Sequence, residues 1–307
     1  MTIIAIIIPI FLIILLGYIS RARGLAESSW MPTLNSFAYY IALPALIISG
    51  FLVLDWSDGT LLRMIGIQAV SAVFLALLII TILRLAHVHS RTIAGVILVA
   101  TLGNTVYMGF PISYLAFGPA ATPLFVGVAA AQLVISILIA LIAIEYLISP
   151  HPSPLSVITH TTYNPFFISP LIGISLSFLP HSWHAFSFLV ETTRLLGASA
   201  SPVALFSLGI FLSSTTLSRS SYALSLFSTV IKLLCAPLVV YGLATVFHFS
   251  LSDISFSVLI AAMPTAVTSF VIADRYHLTD PFIANTIFIS TVSSAITLSL
   301  ILFIFRA

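Results

Sequence analysis

The sequence predicts an all-α integral membrane protein of ten transmembrane helices, arranged as a five-plus-five inverted repeat with helices four and nine broken. Three observations carry this reading. The 307 residues are 60% hydrophobic and only 6% charged, against roughly 25% charged in an ordinary soluble domain. The charges leave uncharged windows at 1–20, 28–54, 64–83, 92–144, 146–190, 195–218, 233–252, 254–273 and 281–305. A bilayer core takes about 20 apolar residues in helical form, so most windows fit one span and two of them fit two. Prolines inside the spans recur at a nearly fixed spacing. The pattern excludes a soluble enzyme, a disordered regulator and a nucleic-acid binder.

Cutting at charges and turn residues places the spans near 2–20, 32–54, 61–85, 92–117, 122–147, 163–180, 187–213, 221–248, 253–275 and 281–305. The first follows Met1 directly, without a basic leader, and reads as a retained helix rather than a cleaved signal. Arg21-Ala22-Arg23-Gly24 ends it, and Asp55-Trp56-Ser57-Asp58-Gly59 ends the second. Gly118-Pro119 separates the fourth from the fifth, and Pro150, Pro152 and Pro154 open the longest connection. The stretch from His181 to Arg194 reads as a short interfacial helix leading into span seven. Cys235 is the single cysteine, so neither a disulfide nor a multi-cysteine metal site forms within one chain.

Arg21, Arg23, Arg84, Arg91, Arg219 and Arg275 lie in connections after odd-numbered spans, whereas Arg63, Arg194 and Arg306 lie on the other side. The positive-inside bias then puts the odd connections in the cytoplasm and both termini outside a cell membrane. Pro9, Pro44 and Pro111 recur as Pro165, Pro202 and Pro264, at offsets of 156, 158 and 153 residues. Each such proline removes a backbone hydrogen bond. Two five-span halves, 1–148 and 163–307, follow, and an odd number of spans per half forces opposite orientations.

Spans four and nine are interrupted. Span four holds Gly103-Asn104-Thr105 and then Gly109-Phe110-Pro111; span nine holds Pro264-Thr265, then Thr268-Ser269. Irregular backbone at membrane depth survives only when buried in protein or facing a wet cavity. One break per half marks a shared site near the midplane. Freed amides at the start of each second half-helix favour an anion, especially a carboxylate. Asn104, Thr105, Thr265, Thr268 and Ser269 add neutral donors and acceptors, while Gly103, Gly109, Pro111 and Pro264 hold the breaks open. Neither break contains Asp or Glu, which argues against a proton–sodium antiporter; sodium held by carbonyls and hydroxyls stays open.

Lys232 lies in mid-span eight, where an unpaired charge costs about 2.5–3.5 kcal/mol on insertion scales. It either offsets the carbonyl ends of the half-helices, attracts an anionic substrate, or snorkels to an interface. Gln132, among Ala129-Ala130-Ala131, either reaches the substrate or bonds a neighbouring helix. Gln68 and Asn285 are weaker candidates of the same kind, and Glu145, Arg84 and Arg91 read as solvated span ends. His87-Val88-His89 has no Asp, Glu or Cys nearby and does not read as a metal pair. No catalytic constellation and no phosphate-binding loop is present, so the expectation is a non-enzyme without metal or cofactor.

Several strings, taken in order, resemble the auxin efflux carrier family in its short prokaryotic form. They are Pro9 with Leu16-Gly17-Tyr18, Tyr40 to Leu46 around Pro44, Asn104-Thr105 with Gly109-Phe110-Pro111, and Gln132 with Glu145. They continue with Ser201-Pro202 and Leu208-Gly209, then Met263-Pro264, Phe270 to Tyr276, and Ser290-Thr291 with Ser293. The resemblance implies the ten-helix fold of the bile-acid symporter type, with spans four and nine crossing at Pro111 and Pro264. Scaffold helices would be one, two, six and seven (about 2–54 and 163–213). The transport domain would hold helices three to five and eight to ten (about 61–147 and 221–305). It implies carriage of a small organic anion, Asn104 and Gln132 meeting its carboxylate, by alternating access of the elevator kind. An acid–lysine pair that plant members carry early in span three has no clear counterpart; Asp58 and Arg63 are spaced differently. The expected partners are that anion and the lipid bilayer, with a homodimer through the scaffold helices and no nucleic acid. A sodium-coupled carrier of the bile-acid type and a non-transporting receptor are the rival readings.

Overall fold

Twelve helices follow one another in the computed structural model, which describes residues 2–27, 29–54, 56, 59–149, 153, 165–178, 187–278 and 281–305. They are α1 (Ile3–Ala22), α2 (Trp30–Leu52), α3 (Thr60–Leu85), α4 (Ser90–Thr101), α5 (Gly109–Phe117) and α6 (Pro119–Ile148). The second half holds α7 (Pro165–Ser177), α8 (Ser187–Ser214), α9 (Arg219–Val246), α10 (Leu251–Ala261), α11 (Thr268–Arg275) and α12 (Phe282–Phe305). The regular structure among the described residues is helical, with no strand beyond one isolated bridge. Asp58, Pro150, Pro152, Pro154, the stretch His181–His184 and Arg306 lie outside the described residues.

Seven of these helices are long and apolar enough to cross a membrane: α1, α2, α3, α6, α8, α9 and α12. The expected spans four and nine are each divided, into 12 and 9 residues (α4, α5) and 11 and 8 residues (α10, α11). Neither piece of either pair reaches the roughly 20 residues a bilayer asks of one helix. The sixth span is described only as the 13-residue α7.

Proline sets the irregular turns of the long helices. A proline removes the bond to the carbonyl four residues earlier and crowds that turn. The turn before Pro44 widens to π-helical backbone at Ala38–Ala42, and the turn before Pro237 widens at Ile231–Cys235, which carries Lys232. In α8 the helix loosens at Ser199, ahead of Pro202.

Three helix ends carry the same histidine cap, the third at His277 (φ 55°), where the Leu278 N–H reaches back to the Ala273 carbonyl; the other two precede the breaks. His87 (φ 55°) and His248 (φ 54°) both adopt the left-handed conformation. The next amide in each case reaches back: Val88 N–H to the Leu83 carbonyl at 2.9 Å, and Phe249 N–H to the Ala244 carbonyl at 3.0 Å. This is a Schellman cap, a place where glycine is the usual residue. The caps at His87 and His248 are each followed by a short helix, α4 or α10, that stops at a break.

The chain divides into two compact units. One comprises Met1–Leu61, Val106–Ala131 and Thr162–Ser214; the other comprises Leu62–Thr105, Gln132–Thr161 and Thr215–Ala307. In the first, α1 and α8 approach to backbone contact. A Cβ on Gly209 would stand 2.0 Å from the Ile14 carbonyl oxygen, and one on Gly17 would stand 2.1 Å from that of Phe206. Small residues permit such an approach, which gives apolar helices their van der Waals attraction in a bilayer. The second unit packs Ile67 of α3, Val240 and Ala244 of α9, and Ile254, Val258 and Ala261 of α10 into one apolar cluster.

Candidate functional site

Within the second unit, the two breaks run past each other as extended backbone. Gly103 and Thr265 form an antiparallel bridge. The Asn104 amide donates to the Pro264 carbonyl at 2.7 Å, and the Ala266 amide donates to the Leu102 carbonyl at 3.0 Å. The crossing point is therefore Gly103 against Thr265. Pro111 sits beyond it, in the first turn of α5, where its missing N–H costs nothing.

A broken helix leaves carbonyls without their usual partners, and here side chains supply them. At the end of α4, the Val99 carbonyl accepts from the Thr265 hydroxyl at 2.8 Å, and the Thr101 carbonyl accepts from Ser136 at 2.9 Å. At the end of α10, the Ala261 carbonyl accepts from Lys232 Nζ at 3.1 Å. The Thr265 amide donates to Ser290 Oγ at 3.2 Å. Ser136 on α6 and Ser290 on α12 thus pin the crossing, and sequence reasoning passed over both as site residues. Their signal is spacing: they lie 154 residues apart, close to the proline offsets.

The expected row of freed amides is narrower than the sequence suggested. The amides of Asn104, Thr265 and Ala266 are engaged at the crossing, and those of Phe110, Ser269 and Phe270 close their own first turns. Side chains retain capacity instead. Thr105 Oγ1, Ser269 Oγ and Gln132 Oε1 are buried with no hydrogen-bond partner among the described residues. A buried polar atom left so costs about 1–3 kcal/mol, and in a native protein it asks for a water or a ligand. Asn104 is 6% exposed, and its side chain takes no part in holding the crossing. Thr268 is half-buried at the start of α11, whereas Thr265 is committed to Val99 and Ser290.

Lys232 is 1% exposed. Of the roles weighed from sequence, the contact made is with the α10 carbonyl end, where a cation opposes the helix dipole. A Cβ on Gly103 would meet Lys232 Nζ at 2.9 Å, so glycine at the crossing makes room for this side chain. Lys232 also lines a small cavity with Gln132, Gln68, Ser71, Thr101 and Ala261, with space for about one water.

The weaker candidates hold helices together. Gln68 Nε2 donates to the Ser257 carbonyl at 2.9 Å. Asn285 is fully buried; its amide donates to the Ser218 carbonyl and accepts from the Ser218 N–H. Glu145, expected as a solvated span end, is half-buried and accepts from the Ser153 N–H at 2.9 Å. Gly109 and Pro111 belong to the first unit.

Known transporters match nearly the whole chain. The membrane transport protein family matches residues 2–302. An uncharacterized transporter of Methanocaldococcus jannaschii is 24% identical over 96% of this chain and 96% of its own. A provisionally named malonate transporter of Rhizobium meliloti is 27% identical over 98% of this chain and 95% of its own. An uncharacterized transporter of Methanothermobacter thermautotrophicus is 25% identical over 96% and 95% respectively. With its apolar helices, its interrupted spans and this match, the chain belongs to the membrane transport protein family, the group its auxin-carrier-like motifs indicated, and is a multi-pass membrane transporter rather than an enzyme.

Proposed function

We propose that the protein carries a small organic anion across the membrane by alternating access, with the anion's carboxylate held beside the crossing of the two breaks. The observation that carries this reading is a fully buried lysine at that crossing, with polar atoms of Gln132, Thr105 and Ser269 lacking partners. Asn104, Gln132, Thr105, Thr268 and Ser269 form the substrate-binding set, Thr265 supports it through the backbone, and Lys232 supplies positive charge. The provisional name of the Rhizobium relative points the same way, toward a dicarboxylate.

Ten membrane crossings in two inverted halves complete the proposal, counting α4 with α5 and α10 with α11 as single interrupted spans. The two breaks that cross at Gly103 and Thr265 support it, as do the serines at 136 and 290. Spans one, two, six and seven would be the scaffold, and spans three to five and eight to ten would carry the crossing as they move, as in an elevator; the compact units differ from this division in grouping α5 and the start of α6 with the scaffold helices. A homodimer through the scaffold helices and outward-facing termini belong to the same proposal.

Sodium coupling has less support than uncoupled or otherwise coupled transport. The carbonyls of Val99, Thr101, Leu102, Ala261 and Pro264 already accept hydrogen bonds, so a sodium ion would have to share each oxygen with a bound donor. The test is a thermal-shift screen of purified protein against dicarboxylates, monocarboxylates and indole acids, with and without sodium. Stabilisation by a carboxylate in sodium-free buffer is the expected result. Stabilisation by none of them would overturn the anion reading.

A further inference from the structure

We infer that anion binding and protonation of Lys232 are coupled, so that each substrate anion is carried together with one proton. The inference rests on the anion reading above and adds the driving force. Its basis is the geometry around the amino group. Lys232 makes one hydrogen bond, to the Ala261 carbonyl, although an ammonium has three protons to donate. No ion pair involves it among the described residues. The cavity it shares holds about one water, the size of one carboxylate oxygen, and Gln132 contributes an unpartnered buried Oε1.

No other titratable side chain lines this cavity. The elements that form it carry their titratable groups toward their ends: Arg63 and Arg84 on α3, Arg91 on α4, Glu145 and Tyr146 on α6, and Asp253 on α10. Along α9 itself, Arg219, Tyr222 and Tyr241 lie a turn or more away, and Cys235 faces partly outward. A carboxylate arriving at the cavity is then the one full negative charge that Lys232 meets. Anion and proton stabilise each other there, and linkage makes the effect reciprocal. In the balanced step, a lysine amine takes one proton from the aqueous side it faces and becomes an ammonium as the carboxylate binds. On the far side the carboxylate leaves and the proton returns to water. No bond other than N–H is made or broken.

The test uses the purified full chain and malonate as the probe, between about pH 7 and pH 10, where malonate keeps both charges. Calorimetry in two buffers of different ionisation heat reads the protons taken up per malonate. The wild type should take up close to one proton at some pH in this range, with affinity falling up to about tenfold per pH unit there. Lys232→Met should stay folded, since an apolar side chain of similar length replaces a buried amine, and should bind at least tenfold more weakly without proton uptake. Lys232→Arg, permanently charged, should bind without proton uptake. Gly103→Ala, whose Cβ would push the amino group aside, should weaken binding in the wild-type background. Malonate binding to the wild type with no proton uptake anywhere in the range would overturn the inference and leave the anion reading standing. Proton uptake that persists in Lys232→Met would also overturn it. If no carboxylate binds any variant, the anion reading itself fails and takes this inference with it.

Discussion

Removing the Ser290 hydroxyl leaves the Thr265 amide buried without its acceptor, and removing that of Ser136 leaves the Thr101 carbonyl short of one donor. Ser290→Ala should therefore cost about 1–3 kcal/mol, seen as a lower melting temperature in detergent. Asn104→Ala should melt with the wild type, because its backbone amide holds the crossing and its side chain does not. Its loss should appear in carboxylate binding or transport; unchanged uptake or export by this variant would count heavily against the site. Gly103, Asn104, Thr265 and Lys232 were legible in the sequence because polar or helix-breaking residues stand out in apolar spans. Ser136 and Ser290 were not, for a physical reason. A serine in a membrane helix commonly bonds its own helix four residues back, as Ser228 and Ser299 do here. Nothing in a single sequence separates those from a serine that reaches across.

At the scale of the helix, close approach and caps set the sensitive positions. Gly209→Ala would put a methyl 2.0 Å from a backbone oxygen of α1. Backbone in a packed helix cannot step aside cheaply, so this variant should lose most of its folded yield. Gly66→Ala in α3, where nothing lies within 4 Å of the new Cβ, should instead gain about 0.5–1 kcal/mol from helix propensity. His248→Gly relieves a left-handed residue at a cap that favours glycine, and its melting temperature should rise. The wide turns before Pro44 and Pro237 follow from proline chemistry; the sequence reading marked Pro44 and passed over Pro237. The caps at His87 and His248 were not recognisable in advance, because glycine is the usual signal for a left-handed cap and a histidine in a polar connection gives no such signal.

For the whole molecule, hydropathy revealed the membrane class and most span limits, since charge-free windows and bilayer thickness carry that information directly. Hydropathy alone did not mark the breaks after Thr101 and Ala261, because a window average smooths over a six- or seven-residue interruption; glycine, proline and polar residues marked them instead. The inverted arrangement makes a sharper demand. Ala86 and Phe247 each precede one of the matching histidine caps and are exposed. Under the proposed inverted repeat these residues would face opposite sides of the membrane, and the positive-inside bias of Arg84 and Arg91 would put Ala86 in the cytoplasm. Replacing Cys235 with alanine leaves a cysteine-free chain on which Ala86→Cys and Phe247→Cys can be placed singly. A membrane-impermeant maleimide added to intact cells should label Phe247→Cys and spare Ala86→Cys until the membrane is opened. Labelling of both from one side would break the inverted repeat. Labelling of Ala86→Cys alone would keep the repeat and reverse the orientation.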